Sequence, residues 1–219
     1  MNCTRMEKEN WYQVEDVEHI VSPSLLVYPN RIKANIEMML EVAGGAKNLR
    51  PHIKTHKIGE IIKMQLQHGI DKFKCATIAE AELLATIGAK DVLLAIQPTG
   101  PNINRFFDLI RAYPKTDFST IVDNSRTINQ LLKEAISSAV EVSLFVDVNN
   151  GMNRTGVLPK EAVDLYQLIA ENDDLIAKGL HVYDGHIRDT DIAIRTQVCD
   201  AAFEDVLALK KAIEKLGLQ

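Results

Sequence analysis

Cysteine is scarce. Cys3, Cys75 and Cys199 are the only three, an odd number without metal-type spacing, which favours reduced thiols in a cytoplasmic protein over a disulfide framework. Charge of one sign is not in excess either: 25 Lys and Arg stand against 30 Asp and Glu, a net charge of -5. Such a chain has no general attraction for a nucleic-acid backbone or an anionic membrane, so any phosphate site must be local. Long apolar runs are missing. Segments such as Val92–Ile96 end far short of the roughly 20 residues needed to cross a bilayer. Residues 1–11 alternate charged and amide side chains with no apolar core of a signal peptide. Linkers rich in Pro, Ser or Gly are also absent, so the 219 residues, 46% hydrophobic and 25% charged, predict one globular domain.

Within that domain, short runs rich in β-branched residues alternate with helical patterns, the signature of a parallel β/α architecture. Seven strands are expected, near residues 24–27, 48–54, 72–76, 91–96, 117–122, 141–148 and 178–183. Ile32, Ile36, Met39, Leu40 and Ala43 share one helical face, as do Ile103, Phe106, Phe107 and Ile110. Gly69 and Gly88 suit helix C-termini, Asn124 an N-cap and Pro159 a first helical turn, and a last long helix spans about 191–216 before Gly217. The expected fold is a TIM-type (β/α)8 barrel over residues 23–219, preceded by an N-terminal arm over 1–22 to which Trp11, Tyr12 and His19 contribute packing. A closed barrel typically needs about 250 residues, so the last strands are expected to be missing from a truncated or partial chain.

Chemistry concentrates in Arg50-Pro51-His52-Ile53-Lys54-Thr55-His56-Lys57. Strand alternation places Arg50, His52, Lys54 and His56 on one face and Ile53 and Thr55 on the other. In a parallel barrel that face looks into the lumen, and active sites form at the C-terminal strand ends. A lysine desolvated there among other cations is expected to titrate low and to suit a Schiff base with an aldehyde cofactor. The spacing of His52 and His56 brings two imidazoles together only on a helix; on a strand they stand more than about 10 Å apart, which argues against a shared metal.

RPHIKTHK, with the later KCATIAEAE, GMNRTG and YDGH, resembles the D-threonine aldolase and D-serine dehydratase group of the alanine racemase-fold (fold-type III) pyridoxal phosphate enzymes, in family order from about Ser22 onward. The resemblance implies that Lys54 carries the Schiff base with pyridoxal 5'-phosphate, that Arg154 hydrogen-bonds the cofactor's phenolic oxygen, and that Tyr183 stands beside its ring. It also implies a downstream β-rich domain holding a divalent metal ion in the full-length enzyme, and no metal ligand in this chain. Asp147 stands where many racemases carry a modified lysine, and is expected to brace Arg154 directly. Thr77, at the turn after the KFKC strand, is expected toward the cofactor, while Glu80 and Glu82 read as helix-entry charges and Gln97–Gly100 as a turn. His186 can act as acid or base, and is grouped with Lys54 and His52 as catalytic. His181 shares the face of Tyr183 but reads equally as a core imidazole. The implied activity is a lyase on D-3-hydroxy amino acids, foremost retro-aldol cleavage of D-threonine to glycine and acetaldehyde. D-serine dehydration, racemisation, or a pyridoxal phosphate carrier without turnover are the alternatives. The expected partners are a small D-amino acid and a second copy in a homodimer, with no nucleic acid and no membrane.

Overall fold

A computed structural model describes residues 11–218. Five strands, β1 (Lys72–Cys75), β2 (Asp91–Leu94), β3 (Asp117–Val122), β4 (Val142–Val148) and β5 (Leu175–Val182), pair in parallel in chain order. An order that never reverses is that of a barrel wall rather than of a doubly wound sheet. Parallel pairing forces a crossover between neighbours, supplied by α3 (Ile78–Ile87), α4 (Pro101–Ala112), α5 (Ser125–Ser138) and α6 (Pro159–Ala170). Two helices, α1 (Pro29–Ala43) and α2 (Gly59–Gln67), precede the sheet, and α7 (Ile192–Lys215) follows it. Among the described residues no helix is long and apolar enough to cross a membrane.

Local chemistry accounts for the helix ends. Asn124 Oδ1 accepts the Thr127 N–H at 2.8 Å, and Asp191 accepts from Ala193 and Ile194, satisfying first-turn donors that no helical carbonyl can reach. Pro159 opens α6, and Gly88 closes α3 at φ +97°, a conformation that costs glycine little. On α4, Ile103, Phe106 and Phe107 are buried and Ile110 packs against them.

The sheet has two chemically different faces. Phe73, Cys75, Val92, Leu94, Leu144 and Val146 point at the helices and form the core with Leu84, Phe106, Leu131 and Ile169. The other face carries Lys74, Ser119, Ser143 and Asp147. In β5 the two faces exchange parity. Leu175 and Ala177 pack on the core, and so do Leu180 and Val182, because Leu144 pairs with Ala177 but Phe145 with Gly179. Lys178 is the extra residue of this β-bulge, and Gly179 takes φ +136° beside it. The bulge puts His181 opposite Asp147 in register.

Two expected strands do not form. Residues 24–27 carry no regular secondary structure and join no sheet, and Leu25 is 76% exposed. The preceding arm packs on itself, with Trp11 edge-on to Tyr12 and Tyr28 and stacked 3.8 Å from the Arg31 guanidinium. Between 48 and 54 only a single bridge, His52 to Lys74, survives. Pro51 has no N–H to offer a ladder, and His52 Nδ1 accepts the Lys54 N–H at 3.3 Å, drawing Ile53–Thr55 into a 3₁₀ turn.

Candidate active site

The C-terminal ends of all five strands open into one cleft of about 360 Å³, where His52, Lys54, Lys74, Arg154, His181 and Tyr183 meet. Lys54 reaches it from the 3₁₀ turn and is exposed. The alternation expected for residues 50–56 ends at that turn, and the seclusion expected of Lys54 falls instead on Lys74, the half-buried lysine of β1. Arg50 leaves the group altogether: its guanidinium forks onto the Asp91 carboxylate at 2.5 and 2.7 Å, at the start of β2. His56 turns to local backbone, its Nδ1 accepting the Ile58 N–H at 3.1 Å, and burial lowers its pKa.

Burial, then the charges of Lys54 and Lys74, push the His52 imidazole down to about 4. With Nδ1 already accepting from Lys54 N–H, neutral His52 carries its proton on Nε2 and is a donor rather than a base.

Three groups from three strands form the interior wall. Lys74 Nζ lies 2.6 Å from His181 Nε2, and His181 Nδ1 lies 2.6 Å from Asp147 Oδ1. Asp147 is 3% exposed, and its Oδ2 has no hydrogen-bond partner. The brace expected between Asp147 and Arg154 is thus spent on His181 instead. Burial lowers the Lys74 pKa, with Asp147 opposing, and Lys54, Arg154 and Arg50 adding to the depression.

Arg154 is placed by its loop. Asn149 Oδ1 accepts the N–H groups of Gly151 and Asn153, and the Gly156 N–H donates to Asp123 Oδ2 at 3.1 Å. Gly156 adopts φ +95°, and a Cβ there would lie 2.7 Å from the Asn149 nitrogen, so no other residue lets the loop close this tightly. Asp123 Oδ1 in turn takes a hydrogen bond from Gln97, so the segment read as a plain turn helps hold the loop and lines the cleft. The Arg154 guanidinium stands 5.1 Å from the Tyr183 ring centre, and Lys74 Nζ 5.8 Å from it.

Lys54, His52, Arg154 and Tyr183 are therefore brought together. Thr77 and His186 are not among the residues lining this cleft. Thr77 Oγ1 caps α3 by accepting the Glu80 N–H at 3.1 Å, while Glu80, 5% exposed, accepts the Ala76 N–H and faces Lys57 Nζ at 3.4 Å, the helix-entry role expected of it. His186 is exposed, close against Gly151. Of the cysteines described, Cys75 and Cys199 are free, and burial followed by Glu80 pushes the Cys75 thiol up to about 12.

Sequence reasoning missed Lys74 and left His181 aside. A signal existed: in Lys72-Phe73-Lys74-Cys75 the period-two pattern that buries Phe73 and Cys75 sends Lys74 to the face of the expected lumen.

A non-reversing β/α wall with a primary amine, a guanidinium and an aromatic ring at its C-terminal rim is the arrangement of a barrel-type protein with a candidate ligand site at the strand ends. Residues 27–219 match the family described as alanine racemase, N-terminal domain, and the chain belongs to that family. It is 30% identical over 209 residues to 3-hydroxy-D-aspartate aldolase of Paracoccus denitrificans (strain Pd 1222), covering 93% of this chain and 53% of the relative. It is 25% identical over 209 residues to D-threonine aldolase of an Arthrobacter species, covering 93% and 54%. The crystal structure of D-threonine aldolase from Filomicrobium marinum superposes with a TM-score of 0.82 at 26% identity, over 91% of this chain and 54% of that one. The chain spans about half the length of these relatives.

Proposed function

We propose that this cleft holds pyridoxal 5'-phosphate on Lys54 and serves a lyase acting on D-3-hydroxy amino acids, foremost D-threonine aldolase cleavage to glycine and acetaldehyde. The observation that carries the reading is the convergence of the Lys54 amine, the Arg154 guanidinium and the Tyr183 ring in one cleft. The donor set fits such a group. An exposed primary amine can join an aldehyde, Arg154 supplies planar N–H donors for an oxyanion, and Tyr183 offers an aromatic face. The buried, unpartnered Oδ2 of Asp147 leaves the wall an acceptor still to be satisfied.

When bound, the cofactor takes up the electron pair released at Cα. Lys54 would supply the amine that holds it and, as a free amine, would serve as a base in the cleft. Arg154, carried by the held 149–156 loop, would set a positive charge against negative charge on a bound group. His52 contributes an N–H donor rather than a base. A divalent metal does not fit the cleft: lysines and an arginine dominate, and the Asp147 carboxylate is engaged by His181. No step is therefore routed through a metal.

Borohydride reduction of the pyridoxal phosphate-loaded protein should fix the cofactor on Lys54, with D-threonine yielding acetaldehyde. A reduced adduct on Lys74, or pyruvate from D-serine with no acetaldehyde from D-threonine, overturns the assignment.

A further inference from the structure

We propose that Lys74 is a second acid–base group of the cleft, sharing one proton with His181 while Asp147 holds the countercharge. The inference rests on reading the cleft as a pyridoxal phosphate site, and adds to it a proton-carrying amine other than Lys54.

The geometry limits where the shared proton can sit. An ionised carboxylate only accepts, so the 2.6 Å contact with Asp147 places a hydrogen on His181 Nδ1. The 2.6 Å contact between Lys74 Nζ and His181 Nε2 then holds one hydrogen between two nitrogens. Either an ammonium donates to a neutral ring, or an imidazolium donates to a free amine. Passing from the first to the second breaks one Nζ–H bond and forms one Nε2–H bond. No proton goes to solvent, and the three groups stay neutral overall. Lys74 thereby gains a lone pair that can take a proton from a group bound in the cleft; the reverse shift makes it an acid.

The surroundings act on the Lys74 end of this contact in opposite directions. Burial and the nearby charges of Lys54, Arg154 and Arg50 disfavour the Lys74 ammonium, whereas Asp147 on β4 favours it. Just past β5, the Tyr183 ring lies 5.8 Å from the same nitrogen, and His52, itself held neutral, feels the Lys74 charge from the turn before β1. Three strands fix the three groups, so little reorganisation accompanies the transfer.

Competitive acetylation of the cofactor-free protein by trace acetic anhydride across a pH series, read peptide by peptide, tests the shared proton without any variant. Lys74 should become reactive at lower pH than the exposed lysines. In Asp147→Asn it should do so at lower pH still, because the carboxylate favouring its ammonium is gone. Reaction of Lys74 in step with the exposed lysines, or no change in Asp147→Asn, overturns the proposal. In the cofactor-loaded protein, Lys74→Met and Lys74→Arg should each lower D-threonine turnover by about 100-fold, the usual scale of acid–base assistance, while borohydride still fixes the cofactor on Lys54. A Lys74→Arg protein at the unmodified rate shows that only a positive charge is needed and overturns the proposal. Failure of borohydride trapping in the unmodified protein sinks the cofactor reading instead, and the acetylation arm still decides the shared proton.

Discussion

Two lysines, twenty residues apart, meet in one cleft on very different footings. Lys54 sits on a 3₁₀ turn held by short-range bonds: His52 Nδ1 to the Lys54 N–H, and the Ile53 carbonyl to the N–H groups of His56 and Lys57. Lys74 sits on a strand, paired on one side to β2 and tied through its side chain to β5 and, one link further, to β4. The first arrangement leaves an amine accessible to a carbonyl compound; the second secludes an amine and fixes its partner. The proposed reactivity and proton control thus fall in separate parts of the fold, one a turn and the other a wall.

Breaking the wall should have the largest effect on stability. His181→Phe leaves the Asp147 carboxylate and the Lys74 ammonium without the ring that links them, and should cost about 3 kcal/mol in denaturant unfolding, the scale for removing one member of a buried charged set. A smaller effect separates the two regions by pH. His52 titrates at about 4 in the folded chain against 6.5 as its ordinary value, so the unfolded chain binds more protons between those limits. Stability should therefore be fully present above pH 6.5 and decline as pH falls toward 4, and His52→Gln should flatten that decline in unfolding midpoints measured across the window. The smallest effect sharpens the comparison most. Lys54→Met, at an exposed position, should change stability by less than about 0.5 kcal/mol and yet remove the borohydride-trapped adduct.

The β/α wall was legible because its signals are local and repetitive. Val92 and Leu94, Leu144 and Val146, and the caps Asn124 and Pro159 each state their role within a few residues. Residues 24–27 misled because an apolar run specifies burial only when a neighbouring strand exists to receive it. The Lys54 segment was found by its crowding of cations and imidazoles, but its backbone was misread as strand: Pro51 breaks the ladder and His52 spends its ring on the chain. The pairing of Asp147 with His181 joins residues 34 apart in sequence and depends on register, which no single segment announces.

The bulge at Lys178 has a consequence for how relatives should be compared. Strand residues are counted in twos, and Lys178, with no counterpart on β4, is the surplus residue that the bulge absorbs so that Leu180 and Val182 still face the helices and His181 still faces the cleft. A homologue one residue shorter here would run through as a regular strand and present the same letters on the same sides. Relatives should therefore be aligned with a one-residue gap at this point rather than by sliding the residues that follow it.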